Sequence, residues 1–224
     1  MRHFTVIDAP QRSPEWFAAR LGKLTASRAK DMLATIKSGE AAARRDLRVQ
    51  LVCERLTGQG QEDAYVTADM ERGTALEPEA VGAYEVATGN LVRSVGFLAH
   101  TELMAGGSPD GVIGDYEGLI EIKAPRPANH LRAIRAGGVP KEHEAQVRHL
   151  LWLTGAAWLD FVSYCPAFPS HLQLYISRVT PSADDLGWYD AAVRAFLSEV
   201  DAEVASLVPV GDALRASLNQ IEVA

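Results

Sequence analysis

Cysteine is nearly absent: among 224 residues only Cys53 and Cys165 occur, with no companion His or Cys at metal-ligand spacing. A four-cysteine iron-sulfur cluster held by this chain alone is thereby excluded, and two idle or buried thiols are the reading. Long apolar runs are missing as well. No stretch of about 18 apolar residues occurs, as a membrane helix would need, and Met1 to Pro10 lacks the apolar core of a signal peptide. The expectation is a soluble, cytoplasmic protein. Internal repeats, low-complexity tracts and long linkers are also lacking. With 47% hydrophobic and 23% charged residues, one core suffices. A single domain over 1–224 is expected, with 208–224 a weakly specified tail.

Positive charge is in deficit. A formal net charge of -7 argues against coating nucleic acid by bulk electrostatics. The distribution is uneven, however: residues 1–60 hold 11 Lys/Arg against 6 Asp/Glu, and residues 180–224 hold 2 against 8. A basic face and an acidic back can coexist, so the net sign does not veto a DNA substrate. Solvated faces with no partner explain the same charges equally well.

Ser13-Pro14-Glu15 reads as an N-cap, a first-turn proline and an early acid, with Gly22 as the stop. A second helix is expected near Thr25-Ala26-Ser27. A third over about 40–57 carries Leu47, Leu51, Val52 and Leu56 at helical spacing, ended by Gly58-Gln59-Gly60. In the next helical pattern, about 69–88, Pro78 argues that the helix proper begins close to Glu77. From Leu91 to Lys123 the texture becomes short β-type runs broken by glycine: Leu91 to Ala99, Met104 to Gly106, Gly111 to Ile113 and Leu119 to Ala124. Helical patterns open at Asn129 and Pro140, strands are expected over Trp158 to Tyr164 and Leu172 to Val179, and Pro181-Ser182-Ala183-Asp184 launches a last helix to about Leu207. This order indicates an α/β (α+β) domain with one mixed central sheet flanked by helices.

The chemistry centres on Ser108-Pro109-Asp110-Gly111, followed by Gly118-Leu119-Ile120-Glu121-Ile122-Lys123. Alternate strand residues share a face, so Glu121 and Lys123 point together while Ile120 and Ile122 pack on the other side. A hairpin over 110–123 would set Asp110 across from them. Converging carboxylates repel, and one holds its proton unless a cation intervenes. Mg²⁺ fits, because it takes a few hard oxygens, among them the Ile122 carbonyl, alongside waters and substrate phosphate. Lys123 would then assist the attacking water and stabilise charge on a phosphate. By itself this spacing is common, and a surface hairpin with a Glu/Lys pair is the bland alternative.

Four blocks, in order, resemble the lambda-type phage exonucleases, the YqaJ-like viral recombinase family of the PD-(D/E)xK nuclease superfamily. They are Trp16-Phe17-Ala18-Ala19-Arg20-Leu21-Gly22-Lys23-Leu24-Thr25-Ala26-Ser27; Arg72-Gly73-Thr74-Ala75-Leu76-Glu77; Ser108-Pro109-Asp110-Gly111 with Glu121-Ile122-Lys123; and Ala145-Gln146-Val147. Beyond residue 165 the resemblance is only general. It implies a restriction-endonuclease-like core and a 5′-to-3′ exonuclease on linear double-stranded DNA, leaving 3′ single-stranded tails for phage-type recombination. Glu77 would complete a site for one or two Mg²⁺, with Mn²⁺ as substitute, and Gln146 would hold the scissile phosphate or a water.

Arg20, suited to bidentate phosphate binding, and the amides and hydroxyls of Thr25 and Ser27 make an anion site that would hold a terminal 5′-phosphate, and the resemblance implies that Ser108 shares in holding it. On local grounds Arg20 reads equally well as a helix C-terminal charge. Trp16 either stacks on a DNA end or packs in the core. Some relatives place a further basic phosphate contact after the lysine strand. Here Arg126-Pro127-Ala128-Asn129-His130 departs from that pattern, leaving Arg126 or His130 for the role. The resemblance also implies a homotrimer, a single-strand annealing partner and a phage or prophage origin in a bacterial host cytoplasm. The competing readings are an endonuclease of restriction or repair type and a non-catalytic DNA-end-binding protein.

Overall fold

Ser13 Oγ accepts a hydrogen bond from the Trp16 amide at 3.2 Å, and Pro14 occupies the first turn, so the chain turns into a helix where its sequence signals one. A computed structural model describes residues 2–61 and 67–221, with side chains described as far as 208. In chain order the elements are β1 (Phe4–Ile7), α1 (Pro14–Arg20), β2 (Leu24–Thr25), a 3₁₀ turn (Ala26–Arg28), α2 (Ala29–Met32), α3 (Ala42–Thr57) and α4 (Ala68–Thr88). Then come β3 (Phe97–His100), β4 (Ala105–Gly107), β5 (Gly111–Ile113), β6 (Gly118–Lys123), α5 (Pro127–Ala136), α6 (Lys141–Thr154), β7 (Trp158–Tyr164), β8 (Leu174–Val179) and α7 (Ala183–Ile221).

The fold is mixed α/β, as expected, but its strands form two four-stranded sheets, ordered β1-β3-β4-β2 and β5-β6-β7-β8. An isolated bridge pairs Arg93, in the connection before β3, with Val112 of β5. The expected strand over Leu91 to Ala99 is therefore mostly a connection, and its regular part is β3. β1 escaped the sequence reading. α4 also runs unbroken through Pro78 instead of starting at Glu77. The proline forgoes one amide donor without ending the helix, while Thr67 caps its start by accepting from the Met70 amide. α7 continues past Leu207 to Ile221, and 222–224 of the expected tail lie outside the described residues.

Two pairings position the site. β5 and β6 form the antiparallel hairpin expected from the sequence, with Gly111 opposite Ile120 and Val112 opposite Leu119; continued by one step, that register sets Asp110 across from Glu121. Far apart in sequence, β2 and β4 run parallel, pairing Thr25 with Gly106, so the segment after Thr25 and the segment before Asp110 leave the sheet side by side. Gly107 makes this approach feasible, since a Cβ there would lie 2.9 Å from Leu150 Cδ2 and 3.2 Å from Ala26 Cβ.

Helices cover both faces of the second sheet. Leu119, Leu159 and Phe161 pack with Val147, Leu150 and Leu151 of α6. Ile120, Ile122 and Val162 pack with Ala80 and Tyr84 of α4. Each such leucine or isoleucine contributes roughly 2 kcal/mol on burial, and the alternation leaves Glu121 and Lys123 facing α6. A third cluster joins Leu47, Leu51 and Val52 of α3 to Tyr189, Val193, Phe196 and Leu197 of α7.

Around that cluster Arg44 pairs with Glu199 at 2.8 Å, Arg48 with Glu203 and Arg55 with Asp201, while Glu40 holds Arg44 at 2.7 Å and Arg48 at 2.8 Å. The basic N-terminal stretch and the acidic C-terminal one are thus in part each other's counterions. Instead of a wholly separate basic face and acidic back, several of their charges form one ion-pair seam. Single exposed pairs are worth at most about 1 kcal/mol, but a network sharing Glu40 fixes the register of the two helices.

Candidate active site

Glu121 is 1% exposed, at the centre of β6. Its Oε1 accepts from Lys123 Nζ and from Gln146 Nε2, both at 2.6 Å. Its Oε2 is buried with no hydrogen-bond partner. A bare buried carboxylate oxygen carries a penalty of about 1–3 kcal/mol or more, which a cation would remove. Across the hairpin, Asp110 Oδ2 accepts from the Ile122 amide at 2.6 Å. Asp110 and Lys123 line one side of a cleft of about 400 Å³, whose wall also includes Glu77 from α4 and the basic residues Arg12, Arg72 and Arg126.

The electrostatics are those of crowded, partly dehydrated carboxylates. Burial, then the Asp110 charge, pushes the Glu121 pKa up to about 7 in spite of Lys123. Asp110 is raised by burial, against the opposing pull of Lys123 and the Ile122 amide. Glu77 is raised by burial and by Asp110, with Arg12 and Lys123 opposing. For Lys123 burial works against the charge, yet Glu121, Asp110 and Glu77 outweigh it and raise the pKa above the ordinary lysine range. Three acids thus hold one ammonium firmly protonated.

Among the described residues no three Asp, Glu, His or Cys side chains form a ready-made metal cage. The donor set nevertheless suits Mg²⁺, which binds a few hard oxygens and fills its octahedron with water and phosphate. The orphaned Glu121 Oε2 is the observation favouring a cation here. Asp110, Glu77 and Ile122, whose backbone carbonyl is the remaining candidate ligand, share the cleft.

A second cluster forms where β2 and β4 leave their sheet. Trp16 Nε1 donates to Ser108 Oγ at 2.9 Å, and the Arg20 guanidinium lies 4.0 Å above the Trp16 ring. Trp16 is therefore a platform for Arg20, neither sunk in the core nor standing free. Thr25 and Ser27 share a hydrogen bond of 3.2 Å; Thr25 is buried and Ser27 exposed. They sit at the start of the helix expected here, which opens as a three-residue 3₁₀ turn and continues directly into α2. Ser108 and Asp110 are two residues apart, so this cluster adjoins the carboxylates through the backbone.

The two candidates after the lysine strand separate clearly. Arg126 is exposed on the cleft, paired with Asp69 at 2.9 Å. His130 is fully buried, its Nδ1 bonded to Ser163 and its Nε2 to the Leu172 carbonyl, both at 2.8 Å. With both ring nitrogens engaged within the protein, His130 is not presented to the cleft, whereas Arg126 lines it.

Other side chains at the site escaped the sequence reading. His143, one helical turn before Gln146, lines the cleft and stacks on Phe161 at 5.4 Å. Burial and then Lys123 push its pKa down to about 4, so it presents a neutral imidazole. Its spacing from Gln146 was a readable signal. Glu54 and Arg55 at the end of α3 clamp the Gly22 turn: the Gly22 amide donates to Glu54 Oε2 at 2.8 Å, and Arg55 Nε donates to the Gly22 carbonyl at 2.9 Å. Nothing local in the sequence marks that role.

The model of the YqaJ-like viral recombinase domain matches residues 15–157, more than half of the chain. The chain belongs to the YqaJ-like viral recombinase family. Among solved structures, an alkaline exonuclease (LHK-Exo) from Laribacter hongkongensis is 38% identical with a TM-score of 0.82, covering 90% of this chain and 100% of that one. The same exonuclease in complex with dAMP matches equally. A phage related exonuclease from Haemophilus somnus 129PT, 12% identical over 83% of this chain and 96% of its own, shares the fold at a TM-score of 0.64. No curated protein matches. The YqaJ-like match spans all four sequence blocks and continues past α6. Among the described residues, no helix of this YqaJ-like chain is long and apolar enough to cross a membrane.

Proposed function

We propose that this YqaJ-like chain is a Mg²⁺-dependent exonuclease that digests one strand of linear double-stranded DNA from its 5′ end, leaving 3′ single-stranded tails. The observation that carries the reading is the unsatisfied, buried Glu121 Oε2, beside a protonated Lys123 that borders a cleft lined by Asp110, Glu77 and three arginines. Kinship with exonucleases of the same fold supports the reaction class. Glu77, Asp110, Glu121 and the Ile122 carbonyl would hold one or two Mg²⁺, with Mn²⁺ as a substitute. When bound, the metal supplies Lewis-acid charge stabilisation at the phosphate.

The chain's own residues do the rest. Gln146 and Lys123 fix one oxygen of Glu121, leaving the other without a hydrogen-bond partner. Lys123 presents a positive charge where negative charge grows on the phosphate, and it needs no reorganisation to do so. Arg20 on its Trp16 platform, with Ser27 and Ser108, receives the terminal 5′-phosphate, and Arg126 steers the backbone. By family kinship the assembly is a homotrimer working with a single-strand annealing protein in a bacterial host cytoplasm.

The test is incubation of 5′-phosphorylated linear duplex with Mg²⁺, beside closed circular duplex and an EDTA control. Nucleotide release from linear duplex alone, abolished by EDTA, is expected; equal cutting of closed circles would point to an endonuclease instead. Arg20→Ala is expected to erase most of the preference for 5′-phosphate over 5′-hydroxyl ends, raising KM on the former by about tenfold, the worth of one charge-assisted contact. Equal loss on both ends would remove Arg20 from the phosphate pocket.

A further inference from the structure

Arg12 stands in a backbone conformation that arginine does not favour. Its φ is 70°, one of two non-glycine residues with positive φ among those described. It is the third residue of a turn closed by the Ser13 amide donating to the Pro10 carbonyl at 3.0 Å, a position where positive φ ordinarily selects glycine or asparagine. The chain tolerates this strain at the rim of the active cleft, and such outliers gather at functional sites.

The cleft continues beyond Glu77 into a second lobe of about 590 Å³, which shares Gln11, Arg12, Thr74 and Glu77 with the first. Lys123, Arg72 and Arg126 border the first lobe only. Among the described residues, Arg12 is the only Lys or Arg lining the second, and no ion pair or side-chain hydrogen bond occupies its guanidinium. Its charge is felt at Glu77. The result is an exposed, unengaged fork of donors where two lobes meet, beside the proposed reacting phosphate.

We propose that Arg12 is a phosphate-binding residue that grips a backbone phosphate of the DNA strand where it passes Glu77 from the first lobe into the second. This rests on the nuclease reading of the same cleft. A guanidinium fork matches two phosphate oxygens, and Arg12 supplies to the second lobe the cation that Arg126 supplies to the first.

Arg12→Gly separates function from folding, because glycine relieves the positive φ while removing the side chain. Steady-state cleavage of 5′-phosphorylated linear duplex would be followed across a KCl series for wild type, Arg12→Gly and Arg12→Lys, together with thermal melting. Arg12→Gly is expected to melt no lower than wild type, to raise KM about tenfold, and to leave kcat within about twofold, as loss of uniform binding does. The slope of log(kcat/KM) against log[KCl] should flatten by about 0.9, one phosphate contact. Arg12→Lys should restore the slope and part of the KM.

An unchanged KM and slope in an Arg12→Gly protein that melts normally would overturn the proposal and leave the nuclease reading standing. So would an altered Mg²⁺ requirement with an unchanged slope, which would assign Arg12 to Glu77 alone. Wild type that fails to cut linear duplex would take down both.

Discussion

Lys123→Ala should yield a folded protein that cleaves linear duplex slower by about a hundredfold or more in kcat, the usual loss when a preorganised charge is removed from a developing anion. Lys123 is held in place by its 2.6 Å contact with Glu121, and its pKa is raised, so the ammonium is present throughout the working pH range. Folding should survive because Glu121 can respond by protonation: already displaced upward, it becomes a neutral acid once the lysine is gone. Single-turnover rates at saturating DNA and Mg²⁺ measure the effect, and circular dichroism checks the fold. Arg carries the charge but not the compact ammonium, so Lys123→Arg should recover only part of the rate. A Lys123→Ala enzyme within severalfold of wild type would remove the residue from the chemistry.

Glu121→Gln should abolish cleavage and, without metal, make the protein more stable above neutral pH. The carboxyl ordinarily titrates at 4.5 and in the folded protein near 7. A group whose folded pKa is raised binds its proton more tightly in the native state, so its stabilisation is fully present below the unfolded pKa and is lost as pH rises through the folded one. In EDTA, wild type should therefore lose on the order of 3 kcal/mol between about 4.5 and about 7 from this group. The glutamine variant lacks that decline. Added Mg²⁺ reverses the order, because metal binding takes the deprotonated carboxylate and stabilises only a chain that has one. Thermal melts on both sides of neutrality, with EDTA and with Mg²⁺, read all four combinations. Coincident pH profiles in EDTA would show that Glu121 is an ordinary solvated acid.

How much was legible followed the range of the interaction. The Asp110, Glu121 and Lys123 arrangement was readable because period-two alternation and a hairpin act over a dozen residues, and both formed. Glu77 and Gln146 needed the family resemblance, since a single acid or amide on a helix has no local signature. Pro78 misled because a proline weakens a helix by one hydrogen bond, and packing of Ala80 and Tyr84 against the sheet outweighs it. β1 was missed because Phe-Thr-Val-Ile is too short to show a period, and its pairing with β3 lies about ninety residues away. Arg12 was illegible for a different reason: φ is a property of the turn, and arginine is not the residue that advertises it. His130 failed because an exposed-looking Asn-His pair gives no hint that Ser163 and the Leu172 carbonyl will bury it.

Arg55 bonds two partners at once. Its Nε holds the Gly22 carbonyl, and its Nη1 reaches Asp201 on α7. The acidic end of the chain, which had no evident role in the sequence, is therefore linked through one guanidinium to the turn carrying Arg20 toward Ser27. Glu199 and Glu203 bolt the same helix to α3 on either side of that joint. Any force on α7, whether from a neighbouring subunit or from a binding partner, would have a short lever onto the turn proposed to receive the end of DNA.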